Sequence, residues 1–121
     1  MTAEQLRDAI RTVTMRIKLD TSQIRFMITK PATPKMDRDT RQQKVDKTTG
    51  ALQWQLQVMA LDETGGEILT VTLDGEPKIN VGEFVQLHDL VAIPWSQADR
   101  SGVAFRAAGI TALSATVKHA A

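Results

Sequence analysis

The chain has 121 residues, 42% hydrophobic and 24% charged, which is enough for one domain with its own core. It contains no cysteine, so structural disulfides and thiolate metal sites are excluded, and only two histidines, His88 and His119, too few for a His-based triad or metal cluster. The net charge of +1 hides an asymmetry: residues 1–50 carry eleven Lys/Arg against six Asp/Glu, and residues 51–121 carry four against eight.

The opening MTAEQLRDAIR is charged and amphipathic, without the apolar run of a signal peptide. Thr2 and Gln5 have the spacing of a capping box, and Leu6, Ala9, Ile10, Val13 and Ile17 follow at helical spacing. This predicts an N-terminal α-helix over residues 1–19, with Arg7, Arg11, Arg16 and Lys18 on its opposite side. Its apolar stripe either lies on the rest of the domain or pairs with a second subunit as a homo-oligomer contact. No later segment is long and apolar enough to span a bilayer, so a soluble cytoplasmic protein is expected.

Gln23 to Thr29 reads as a first strand, with Ile24, Phe26 and Ile28 inward and Arg25, Met27 and Thr29 on the other face. Lys30 to Gly50 has almost no large apolar residue. It contains Pro31 and Pro34, and spaces Lys30, Lys35, Arg38, Arg41, Lys44 and Lys47 along its length. This is a long basic loop, or the extended arms of a hairpin, ending in the turn Thr48-Thr49-Gly50.

In Ala51 to Leu61, Leu52, Trp54, Leu56 and Val58 alternate with Gln53, Gln55 and Gln57. The period of two predicts a strand with a buried face and a wet face that offers amides without charge. Asp62 to Gly66 is a hairpin turn with glycines to supply positive φ, and Ile68 to Leu73 is the partner strand, with Thr70 and Thr72 outward. Phe84 to Trp95 is a further strand region, and Asp89 in its apolar parity implies a bulge or bend. Val103 to Leu113 closes the series, with Gly109 where the strand could bend sharply. Residues 114–121 form a tail, and no internal repeat is found.

The expected fold is therefore mainly β: a five-stranded OB-like small barrel over residues 22–113, preceded by the helix, in one domain of residues 1–121. In such a barrel the loops after the first and fourth strands flank the groove on the second and third. The groove would collect Arg25, Lys30, Lys35, Arg38, Arg41, Lys44 and Lys47, with Gln53, Gln55 and Gln57 along its floor and Trp95 and Arg100 at its far end. Cations for phosphates, amides for bases and an aromatic for stacking are what single-stranded DNA binding requires. Phe26 and Trp54 fall on the inward parity, so the cations must supply most of the affinity and salt should weaken it steeply. No catalytic constellation or cofactor motif is present, so an enzyme is not expected. The rival reading is a protein-interaction or assembly module using the N-terminal helix.

The segments Val81-Gly82-Glu83-Phe84-Val85, Leu90-Val91-Ala92-Ile93-Pro94-Trp95 and Gly102-Val103-Ala104-Phe105-Arg106-Ala107 resemble a family of small actinobacterial regulatory proteins. That family is encoded on integrative and conjugative elements and plasmids. Pro34-Lys35, Asp37-Arg38-Asp39-Thr40 and Gly75-Glu76-Pro77 are similar to the same family. The resemblance implies a role in replication, transfer or regulation of a mobile element, and carries no catalytic residues. The strand order separately resembles the OB-fold of single-stranded DNA-binding proteins. It departs from that fold at Asp74 to Gly82, which is too short and too rich in Pro and Gly for the helix often found there.

Overall fold

The computed structural model describes residues 15–113, in which the secondary structure is β throughout. Eight strands form one sheet: β1 (Ile17–Lys18), β2 (Arg25–Pro34), β3 (Gln53–Asp62), β4 (Gly65–Asp74), β5 (Phe84–His88), β6 (Val91–Gln97), β7 (Arg100–Arg106) and β8 (Gly109–Ala112). Their hydrogen-bonded order is β1-β6-β7-β4-β3-β2-β5-β8, with β4 and β7 parallel and every other pair antiparallel. This is an open eight-stranded ladder and not the five-stranded closed barrel expected from the sequence.

The difference arises at one corner. His88 faces Gly109 in the β5–β8 ladder and Val91 faces Arg106 in the β6–β7 ladder, so the two ladders share one register. Between them lie only Asp89-Leu90 on one side and Ala107-Ala108 on the other. Residues 84–112 are thus one long hairpin folded across its middle. One half joins β2 through Phe26↔Val85, and the other joins β4 through Val71↔Phe105. Asp89 makes the corner with φ of +50°, a left-handed conformation that Asp tolerates better than bulky residues. The bend implied by a charge at Asp89 is present; on the opposite strand it falls at Ala107-Ala108, just before Gly109.

The core follows from the alternation. Phe26 and Ile28 of β2, Leu56 and Val58 of β3, Val71 and Leu73 of β4, and Val85 and Leu87 of β5 are buried, and Leu90 and Ala107 plug the corner. Each large side chain among them contributes about 1.5–3 kcal/mol of transfer free energy. Leu52, expected inward, is half exposed because it precedes β3 and pairs only with Val45.

The helix expected over residues 1–19 is not seen in the part of it that is described, residues 15–19. Ile17 and Lys18 instead pair with Ala92 and Val91 as an edge strand, and Leu19 N–H continues the ladder to the Leu90 carbonyl at 3.0 Å. The free edge of β6 supplies backbone partners that override the helical spacing of the side chains. The rest of that stripe, and the tail 114–121, lie outside the described residues. Among the described residues no helix is long and apolar enough to cross a membrane.

Candidate functional site

The basic segment is built, not loose. β2 runs on to Pro34, accommodating Pro31 at an irregularity in its pairing with β3. Two hairpin turns then follow with the same hydrogen bonds. In the first, Asp37 Oδ1 accepts from the Asp39 and Thr40 amides, Arg41 N–H donates to Asp37 O, and Gln42 N–H donates to Thr40 Oγ1. In the second, Asp46 Oδ1 accepts from Thr48 and Thr49, Gly50 N–H donates to Asp46 O, and Ala51 N–H donates to Thr49 Oγ1. Arg41 and Gly50 occupy the equivalent left-handed position, with φ of +59° and +75°.

The chain therefore does contain an internal repeat, nine residues long: Lys35-Met36-Asp37-Arg38-Asp39-Thr40-Arg41-Gln42-Gln43, then Lys44-Val45-Asp46-Lys47-Thr48-Thr49-Gly50-Ala51-Leu52. The signal was Lys-x-Asp-basic-x-Thr occurring twice, short enough to pass for loop composition. The Asp side chains earn these positions by satisfying turn amides, and those same amides hold both carboxylates below their ordinary range.

The double hairpin folds back over the outer face of β3, β4 and β7, enclosing a cleft of about 560 Å³. Its floor is Gln53 and the buried Thr72; one wall is Lys35, Lys44 and Lys47 of the hairpins, and the other is Ile93, Ala104 and Arg106 of β6 and β7, with Arg16 also on the lining. Arg106 fastens the arrangement: its Nη2 lies 2.7 Å from Asp46 Oδ2 on the second turn and 2.6 Å from Asp74 Oδ2 at the end of β4. Lys35 Nζ donates to Thr72 Oγ1 at 3.1 Å. Burial, with Lys44 and Arg106 nearby, lowers the Lys35 pKa from its ordinary value.

The strand face that walls the cleft continues along the β6–β7 ribbon. Directly opposed residues of an antiparallel pair share a face, and residues two apart along a strand do so too. Val91/Arg106, Ile93/Ala104, Trp95/Gly102 and Gln97/Arg100 therefore lie on one face, beginning at the cleft and ending at the hairpin tip. Beyond Phe105 and Arg106 the ribbon has no pairing with β4, so it projects as an arm. Trp95 is 45% exposed, and its indole covers Gly102, where an added Cβ would meet Trp95 Cζ2 at 2.7 Å.

Not every expected site residue reaches this surface. Lys35, Lys44, Lys47 and Gln53 line the cleft, and Trp95 and Arg100 lie on the connected ribbon face. Gln55 and Gln57 extend the floor away from the cleft, opposite Thr72 and Thr70, but Gln57 Oε1 already accepts from Thr29 Oγ1 at 3.0 Å. Lys30 pairs with Gln57 on β2 and is exposed. Arg38 and Arg41 are exposed on the first turn and do not line the cleft. Arg25 sits at the opposite end of β2, on the order of 25 Å along the strand, with its guanidinium 4.4 Å from the Phe84 ring centroid.

Arg16 and Arg106 were the cations missed: one was assigned to a helix and the other fell within the last expected strand, Val103 to Leu113. Among the described residues, no group of three or more His, Cys, Asp or Glu could hold a metal ion. No protein-family model, curated protein or solved structure matches the chain.

Proposed function

We propose that the chain is an OB-like module that binds single-stranded DNA in the cleft between the double hairpin and the β6–β7 arm. The OB-like reading takes residues 84–97 and 100–112 as two long strands bent at one corner. The β2–β3–β4 meander is then flanked by the two arms of a single hairpin, with β4 and β7 parallel. The basic hairpins and the arm tip become the two loops that flank the groove of such a fold.

The observation that carries the reading is the continuity of one surface. Lysines from both hairpins meet Thr72 and Gln53 in the cleft, and Trp95 and Arg100 follow along the adjoining ribbon face. Cations would track the backbone, while the exposed indole offers an unpaired base a stacking partner that a duplex cannot reach without unstacking. Among the described residues there is no helix to enter a major groove. A setting in replication, transfer or regulation of a mobile element is supported by the resemblance of the segments around Trp95 and Phe105.

The test is fluorescence anisotropy with labelled single-stranded and duplex oligonucleotides at two salt concentrations. Wild type is expected to prefer the single strand. Joint substitution of Lys35, Lys44 and Lys47 by alanine should reduce the slope of log K against log salt by about 0.7 per lost phosphate contact. Preference for duplex, or an unchanged slope in the triple variant, would overturn the proposal.

A further inference from the structure

Where the two hairpins leave the sheet, three backbone positions are hydrogen-bonded in a ring. Lys35 N–H donates to Gln53 O at 3.0 Å, Gln53 N–H to Lys44 O at 2.8 Å, and Lys44 N–H to Lys35 O at 2.7 Å. These residues are spaced nine apart, so each opens one unit of the repeat or the strand that follows it. Ring closure sets their Cα atoms about 5 Å from one another, and all three side chains line the same cleft.

The charges at this ring do not balance among themselves. Both ion pairs among the described residues belong to Arg106, which engages Asp46 and Asp74. Asp37, the other carboxylate on the lining, turns Oδ1 to the amides of its own turn. Neither Lys35 nor Lys44 forms an ion pair among the described residues: Lys35 is tied to a neutral hydroxyl on a buried floor with the charge of Lys44 nearby, and Lys44 feels the Asp37 carboxylate only at longer range. A partly buried Lys35 ammonium with the charge of the exposed Lys44 nearby is unfavourable, and an anion entering between them would relieve it.

We propose that this ring is a subsite for one phosphate group, held by Lys35 Nζ, Lys44 Nζ and the Gln53 side-chain amide; it rests on the cleft being the nucleic-acid site. Donors arriving from three separate chain segments suit a tetrahedral oxyanion. A planar carboxylate is instead matched by the parallel fork of an arginine. The phosphate comes either from the end of a strand, as a monoester, or from its interior, as a diester.

The experiment titrates inorganic phosphate into the full chain at constant ionic strength, following the lysine side-chain Cε resonances by NMR. Saturable one-site binding that moves Lys35 and Lys44 together, and shifts the Lys35 titration to higher pH, is expected. K35Q and K44Q should each weaken it at least about tenfold, while R38Q, on the exposed first turn, should leave it unchanged. Non-saturating shifts spread over all lysines, or wild-type phosphate affinity in K35Q, would overturn the subsite. Trp95-dependent oligonucleotide binding by a protein that takes no phosphate would remove the subsite alone. Phosphate binding without oligonucleotide binding would remove the cleft reading alone. Comparing 5′-phosphorylated with 5′-hydroxyl oligonucleotides then assigns the source: a preference for the former places a strand end in the ring, and equal binding places an internal diester there.

Discussion

Gly102→Ala isolates the role of Trp95 without deleting it. The added methyl would lie 2.7 Å from Cζ2, 2.9 Å from Cε2 and 3.1 Å from Nε1 of the Trp95 indole, closer than nonbonded carbon atoms approach. Because the ring is 45% exposed and rests on a projecting arm, it can swing off the ribbon at little cost to folding. Stability should therefore change by less than about 1 kcal/mol, while the stacking surface is lost. Stacking on an aromatic is worth about 1–3 kcal/mol per base, so affinity for a single strand should fall by about 5- to 150-fold. Trp95→Ala should fall by the same factor, and the double variant by no more than either single one. Anisotropy gives the affinities and chemical denaturation the stability; Trp54→Phe as the background leaves Trp95 as the sole indole for a quenching signal. Wild-type affinity in Gly102→Ala with a displaced indole, or additive losses in the double variant, would refute stacking at this position.

Ala98 stands at the arm tip with φ of +56°, and Ala98→Gly should relieve the left-handed strain and raise stability by ~1 kcal/mol, read from the denaturation midpoint. Backbone amides hold the Asp37 and Asp46 carboxylates below their ordinary value of 3.8; their stabilisation is thus complete above that pH and is lost as pH falls through the lower folded values. Amide exchange at Thr40 and Thr49 should accelerate in that acid window and stay slow above it, whereas exchange independent of pH beyond the intrinsic rate would count against the Asp caps. Leu56 is 2% exposed in the centre of β3, and Leu56→Ala should cost about 2–5 kcal/mol in thermal or chemical unfolding, with a smaller loss showing that the core is not organised around that strand.

How much of this was legible in the sequence depended on the range of the interactions. The β2–β3–β4 meander and its buried positions could be read because alternation and hairpin turns are local signals, as Leu56, Val58, Val71 and Leu73 illustrate. The corner at Asp89 was visible as a charge in an apolar parity. Ile17 and Lys18 were misread as helix because their conformation is set by the free edge of β6, more than seventy residues away along the chain. Of the expected cations, Lys35, Lys44 and Lys47 converge because the repeated turns return the chain to the same place, whereas Arg38 and Arg41, equally basic in composition, ride on the outside of a turn. Charge counts cannot distinguish the two sets; the nine-residue spacing can.

The place where local preferences disagree is the same cleft. Along the strands, period, propensity and burial point one way, and among the described residues the buried side chains are hydrophobic apart from Thr72. Around that threonine the pattern reverses: an ammonium leans on its hydroxyl, two further cations press on that ammonium, and Asp74 Oδ1 is buried without a hydrogen-bond partner among the described residues. A sequence selected for stability alone would remove such a cluster, since a lysine held among cations costs more than the methionine that could fill its space. Local conflict of this kind concentrates where a surface is built for something other than folding. Lys35→Met should accordingly raise the denaturation midpoint while weakening single-strand binding. A variant that lost both, or neither, would show that Lys35 serves the fold and not an anionic ligand.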